Sequence, residues 1–244
     1  SAAMICTLGF ASCVKDLDVE PIDPNITMPE DILNSEDAFA SLLAKCYTGL
    51  AASGGFGQNG ACDLSGIDGG FSQYIRLLFI MECLTTDEAT CCWNDAGLPD
   101  MHNLSWNSSN SFANGAYYRF YTQIGFCNEF IRKANESKLT DEEFPSKARF
   151  IAEARALRAL TYLHVIDIFG NASFVNENSV VGANPAYISR ASLFEFVEKE
   201  CQELLSGSAL PEAGKSEYAR LDKSFVRMVL AKLYLNAEVY IGKA

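Results

Sequence analysis

The residues best equipped for chemistry in this chain cluster in one irregular stretch and just before it. Trp93 is followed at once by Asn94 and Asp95, inside a polar segment from Thr85 to about Asn110 that carries no regular periodicity. A flat aromatic face beside an amide and a carboxylate is the combination that receives a sugar ring. The ring's apolar C–H patches stack on indole, while the polar groups take its hydroxyls. Arg76, upstream of this trio, adds a rigid fork of donors. A tryptophan is also a common core residue, but a loop is where binding side chains concentrate, and that favours a ligand contact for Trp93. Trp106, between two polar stretches, is expected to pack.

Other arrangements suggest chemistry and then lose it. Asp87 and Glu88 supply two carboxylates, as acid/base cleavage of a glycosidic bond requires, yet neighbours in sequence at a helix end point in different directions. Helix-end capping or charge pairing accounts for them better. His164 and Asp167 sit one turn apart without a serine or cysteine nucleophile motif, so both read as structural. Gly55-Phe56-Gly57-Gln58-Asn59-Gly60 fits G-x-G-x-x-G, but a helix precedes it and more glycine follows, whereas a dinucleotide site needs a strand before and a helix after. No catalytic residue and no cofactor is expected.

Composition narrows the class further. Hydrophobic residues make up 49% and charged residues 20% of 244 positions, which rules against a disordered chain. A formal net charge of -12 repels a phosphate backbone, and no run of Lys and Arg offsets it, so nucleic-acid binding is discarded. Nine cysteines include the adjacent pair Cys91-Cys92, which lacks C-x-x-C spacing. With only His102 and His164 to help, a structural metal site is not expected, and Cys46, Cys83, Cys127 and Cys201 read as small apolar residues of helices.

The N-terminus carries a different signal. Residues 2–12 are uncharged and run into Cys13, as the tail of a signal peptide does. Ala11 and Ser12 before Cys13 resemble a bacterial lipobox, whose cysteine is acylated and becomes the mature N-terminus, although Phe10 stands where such motifs usually hold Leu. The alternative is a frayed segment with two incidental cysteines. Residues 13–34, acidic and proline-containing, form an extended tether on this reading.

The elements that must position Trp93 and Arg76 are helices. Apolar spacing predicts them over Asp37–Ala51 with Ser35 as N-cap, Phe71–Leu84, Gly115–Lys133, Asp141–Phe169, Ser192–Leu205 and Lys223–Ile241. Between the first two lies a glycine-rich excursion from Ser53 to Gly70. The helix ending at Phe169 is apolar almost all round, with Arg155, Arg158, Thr161, His164 and Asp167 at three-residue intervals. It is expected to lie buried, with Glu153, Arg155 and Arg158 in ion pairs. Gly170 suits the position that ends it. Ser192 and Glu195 make a candidate capping box. No strands are expected. The fold class is mainly α, a tetratricopeptide-like solenoid of helical pairs with long irregular loops, spanning residues 35–244. Its last helix would leave a raw face, so the C-terminal half of a larger protein is expected to be missing.

Several segments, in order, resemble the SusD/RagB family. They are Cys13 with its tether, Gly66-Ile67-Asp68-Gly69-Gly70-Phe71 through Arg76, Leu84-Thr85-Thr86-Asp87-Glu88-Ala89, and Trp93 to Leu98. Tyr117 to Phe130, Ala152-Glu153-Ala154-Arg155-Ala156-Leu157-Arg158-Ala159-Leu160 through Asn171, Ser189-Arg190-Ala191-Ser192 and the stretch from Phe225 to Tyr240 follow. Ser173 departs from the pattern, since many members have proline after the glycine turn. The resemblance implies an acylated, surface-exposed outer-membrane lipoprotein of a Bacteroidetes-type bacterium. Such a protein binds oligo- or polysaccharide, here closest to the α-glucan (starch) members, and delivers it to a SusC-like TonB-dependent transporter. It implies a non-catalytic role, glycan contacts at Trp93, Asn94, Asp95 and Arg76, and a site completed by residues of a second half. In such a bacterial lipoprotein the sequons at Asn25, Asn103, Asn107, Asn135 and Asn171 are chance. Another ligand (a host glycan or a peptide), a glycoside hydrolase and a protein-binding tetratricopeptide scaffold are the remaining alternatives.

Overall fold

Ser35 opens the helix that follows it as its side chain dictates, with Oγ accepting the amide of Ala38 at 3.3 Å. Helix α1 spans Glu36–Thr48, carries Glu36 and Asp37 in its first turn and Lys45 in its last, and buries Phe39, Leu43 and Cys46. Helices α2 (Tyr74–Glu82), α3 (Leu98–His102), α4 (Ser111–Glu136) and α5 (Lys147–Phe169) follow. Strands β1 (Ala172–Phe174) and β2 (Ala186–Ile188) come next, then α6 (Arg190–Ser206), α7 (Lys223–Leu235) and α8 (Ala237–Ile241). The computed structural model describes residues 32–55 and 62–242. The signal remnant, Cys13 and most of the tether lie outside the described residues, as does most of the G-x-G-x-x-G stretch. Ser1–Asn34 and Ser35–Ala244 are separate units, and all of these helices and strands belong to the second.

The second unit is mainly α and built of helical pairs. α5 packs along α4, α6 along α5 and α7 along α6, while α1 and α2 cover α4. Helices α4 and α5 run antiparallel. Tyr117 meets Phe169, Phe120 meets His164 and Asn128 bonds Arg158, so positions ascend on α4 as they descend on α5. α5 is central and almost wholly buried, as its all-round apolar pattern predicts. Gly170 ends it at φ +73°, a conformation that costs other residues a Cβ clash.

Several boundaries differ from expectation, each for a local reason. α5 begins at Lys147 instead of Asp141, because Pro145 disfavours helical backbone at Phe144. Thr140 and Glu143 meanwhile close a turn of their own through reciprocal side-chain bonds of 2.9 and 3.3 Å. α6 starts at Arg190, and Ser189 is its N-cap, accepting the amide of Ser192 at 3.2 Å, so the capping box at Ser192 and Glu195 does not form. The long C-terminal helix breaks at Asn236, whose side chain bonds the carbonyl of Lys232 and competes with the backbone. The β1–β2 ladder, pairing Ser173 with Tyr187, was not expected, since three-residue strands are too short to show alternation. Ser173 also explains the missing proline: its amide donates to the Tyr121 hydroxyl at 3.0 Å.

Buried charges tie the helices together. Arg158 bonds Glu200 on α6 at 3.0 Å and Asn128 on α4 at 2.8 Å, and also pairs with Glu177. Burial alone would raise the pKa of Glu200, but bonds and charge from Arg155 and Arg158 outweigh it and hold the carboxyl below its ordinary value. Glu153, fully buried, receives two bonds of 2.8 Å from Arg220 and one of 3.1 Å from Arg149, and Tyr47 of α1 bonds it too.

His164 makes stability depend on pH. Its Nδ1 lies 2.7 Å from the buried Tyr74 hydroxyl. Burial first, and the positive charge of Lys232 second, push its pKa down to about 4. Between pH 4 and the unfolded value near 6.5 the unfolded chain therefore holds a proton that the folded chain lacks. The His164 contribution, on the order of 3 kcal/mol, is complete above pH 6.5 and is lost as pH falls toward 4. Urea titrations at pH 7.5 and pH 4.5 should show wild type losing more stability than His164→Gln. Equal losses would mean that His164 does not titrate in this way.

Candidate functional site

The site is built on the chain that crosses between α1 and α2. Arg119 of α4 is 0% exposed and fixes that crossing from beneath. Its guanidinium donates to the carbonyls of Ser72 (2.6 Å) and Ser53 (2.9 Å), to Ser72 Oγ (3.3 Å) and to Asp63 (3.4 Å). Asp63 also takes both its oxygens to Lys45 Nζ at 2.9 Å. An irregular, glycine-rich segment thus gains fixed anchor points, and Asp68, Gly70 and Phe71 come to rest against α2 and α4. Phe71 packs on Phe112 with ring centroids 4.7 Å apart.

The other wall is the loop before α3. Asn110 caps α4, accepting the amides of Phe112 (2.9 Å) and Ala113 (3.2 Å), while its Nδ2 donates to the Gly97 carbonyl at 2.8 Å. Ser111 Oγ donates to the Ala96 carbonyl at 3.3 Å. Gly97 holds φ +87°, and a Cβ there would meet Asn110 at 2.8 Å, so the turn demands glycine. One asparagine therefore starts a helix and holds the loop that carries Trp93.

Between these walls lies a pocket of about 810 Å³. All four residues picked out from the sequence, Arg76, Trp93, Asn94 and Asp95, line it, above an apolar floor of Phe79, Ile80, Leu84 and Phe112. Trp93 is 62% exposed, which is the behaviour of a platform and not of a core residue. The Arg76 guanidinium stands 5.6 Å from the Trp93 ring centroid and donates to the Gly70 carbonyl at 2.6 Å, so it braces the indole. Asp68 accepts the Gly70 amide at 2.6 Å and tightens the same turn. Chemically the pocket offers one broad aromatic face, an apolar base, and an amide, a guanidinium and two carboxylates at its rim.

The remaining candidates lie elsewhere. Asp87 and Glu88 are exposed in a turn outside this pocket, where Thr86 Oγ1 accepts the Glu88 amide. His164 is buried, and Asp167 accepts the Tyr240 hydroxyl at 2.6 Å. Cys46, Cys127 and Cys201 are buried as free thiols, and burial pushes Cys201 up to about 12. Trp106, expected to pack, is 40% exposed instead, because α3 ends at His102 and the chain leaves the core there. Among the described residues no cluster of three His, Cys, Asp or Glu could hold a metal ion, and no helix is long and apolar enough to cross a membrane. The sequence alone does not point to Asp68, Gly97 or Asn110 as site residues. Asn110, at the end of the polar loop and just before a helix, bears the usual mark of an N-cap, but nothing local shows its reach to Gly97.

No protein-family model matches the chain. It is 32% identical over 246 aligned positions to the starch-binding protein SusD of Bacteroides thetaiotaomicron, an alignment covering 100% of this chain and 42% of that protein. Among solved structures, a laminarin-binding SusD-like protein is similar at 19% identity with a TM-score of 0.62, over 84% of this chain and 41% of that one. Surface glycan-binding protein A from Bacteroides thetaiotaomicron, in complex with laminarihexaose, is similar at 18% identity and a TM-score of 0.59, over 84% and 40%. The likeness to these two structures is one of fold. The chain spans 42% of the length of the curated relative it matches.

The geometry separates platform from scaffold. Trp93→Ala should shift the melting temperature by no more than a degree or two, whereas Asn110→Ala removes two capping bonds and should cost about 1–2 kcal/mol in urea denaturation. A large loss of stability in Trp93→Ala would place that indole in the core.

Proposed function

We propose, from the premise that this chain is SusD-like in sequence and in fold, that it serves a surface-exposed outer-membrane lipoprotein that binds oligo- or polysaccharide without cleaving it. The observation that carries this reading is the convergence of Trp93, Asn94, Asp95 and Arg76 on one pocket with the indole turned outward. A pyranose ring stacks on the exposed indole, Asn94 and Asp95 take its hydroxyls, and Arg76 supports the platform and offers its remaining donors. Starch-type α-glucan is the favoured ligand, since identity to the starch-binding relative spans the whole chain at 32% while the laminarin-binding structure stands at 19%. As the chain spans 42% of that relative, the pocket is proposed as part of a larger site, with weak affinity by itself. Delivery to a SusC-like TonB-dependent transporter, and attachment to the membrane through acylated Cys13, belong to the same proposal.

Hydrolysis is the less favoured chemistry. Two carboxylates facing each other across the bond would support it. Here Asp68 is turned to the amide of Gly70, and Asp95 lies on the loop beside the indole.

Two measurements test the reading. In native gels cast with amylopectin, the protein should be retarded, and Trp93→Ala should weaken apparent affinity roughly tenfold to a hundredfold, the loss of one stacking platform worth about 1–3 kcal/mol. Equal retardation of both proteins would remove Trp93 from the site. For the anchor, Cys13 should take up labelled palmitate in a Bacteroides host, and Cys13→Ala should release the protein from the membrane fraction. Membrane association that persists in the variant would refute acylation at Cys13.

A further inference from the structure

A second pocket lies a short way along the same helix. α2 presents Arg76, Phe79 and Ile80 to the first pocket, and Met81 and Glu82 to another of about 420 Å³. Trp106 forms a wall of it, with Thr85, Asp167 and Lys232 around the opening. The chain has two tryptophans, both are substantially exposed, and each stands over a pocket. Indole is costly to leave in water, so exposure of both, each beside polar groups, marks two platforms.

The polar groups around Trp106 are arranged for hydroxyls. Asp167 accepts the Tyr240 hydroxyl at 2.6 Å and adjoins Glu82, and both carboxylates line the pocket. Burial, above all, raises the pKa of Glu82. Lys232 opposes that shift and the neighbouring Asp167 carboxylate adds to it. Two adjoining carboxylates offer acceptors, and Lys232 offers a donor. Thr85 Oγ1 spends its proton on the Met81 carbonyl at 2.8 Å, so toward a ligand it can only accept. Leu104, two residues before Trp106, sits at φ +54°, a conformation uncommon for a bulky side chain, in the turn that carries the indole outward.

We infer that Trp106, Glu82, Asp167 and Lys232 form a second carbohydrate subsite for a short stretch of neutral hexose. The inference rests on the glycan-binding reading of the first pocket. The volume is about half that of the first, enough for a short segment and not for an extended chain. Two carboxylates against one ammonium disfavour acidic or sulfated sugars. Both pockets border α2, and a polymer that engaged the two together would gain avidity that a short oligosaccharide lacks.

Because the chain has two tryptophans, single-tryptophan variants report the pockets separately. Trp93→Ala leaves Trp106 as the sole emitter, and Trp106→Ala leaves Trp93. Each is titrated with maltoheptaose and with laminarihexaose, with circular dichroism as the check on folding. The expected result is a saturable shift of Trp106 emission in Trp93→Ala, weakened tenfold or more by adding Glu82→Ala. A response of Trp93 with none from Trp106 would overturn the second subsite and leave the first standing. A Trp106 response unaffected by Glu82→Ala would overturn the assignment of the carboxylates. No response from either tryptophan would overturn both readings together.

Discussion

The architecture around the pocket depends on a positive charge with no access to water. Arg119 is wholly buried in α4, and it bonds two backbone carbonyls, a hydroxyl and a carboxylate from the chain crossing over it. A segment so rich in glycine has much entropy to lose on ordering and little side-chain area to offset it. Fixed donors within the core substitute for the missing side chains. Removing one partner of such a buried charge typically costs about 3–5 kcal/mol, because what remains is left unpaired. The constraint passes outward: Ser72 and Asp63 are held, so the turn through Asp68 and Gly70 is held, and that turn accepts Arg76, which braces Trp93.

The same device joins the helical pairs. A solenoid of short-range contacts needs specificity at each interface, and α5 supplies it with Glu153 toward α1 and the loop before α7, and Arg158 toward α4 and α6. Apolar residues around these charges supply most of the burial. Buried charges add register, since each finds its partner in a single arrangement of the helices, as a buried polar residue does in a coiled coil. Aromatic contacts fill the layers between, including Tyr74 against Phe120 and Tyr162 against Phe174.

Much of this was legible in the sequence because the signals are local. The three-and-four spacing on α4, the all-round apolar run of α5, the serine before α1 and the glycine after α5 each act within a few residues. What failed was local competition: Pro145 against an early start for α5, Ser189 against Ser192 as cap, and Asn236 against one long final helix. The trio at Trp93 and its partner Arg76 could be read because aromatic and polar types in a loop are informative by themselves. Asn110, Gly97 and Arg119 could not be assigned to the site, since their roles come from contacts up to 66 positions apart in the chain. Trp106 is a related case: no sequence pattern shows that a short helix will end and carry it outward.

A crystal structure with maltoheptaose bound is the decisive measurement for the Trp93 pocket. The expected result is a glucose ring stacked on the open face of Trp93, with Asn94 and Asp95 within hydrogen-bond reach of its hydroxyls and Arg76 still bracing the indole. A well-occupied sugar bound elsewhere on the protein, with the Trp93 pocket empty at saturating ligand, would contradict it.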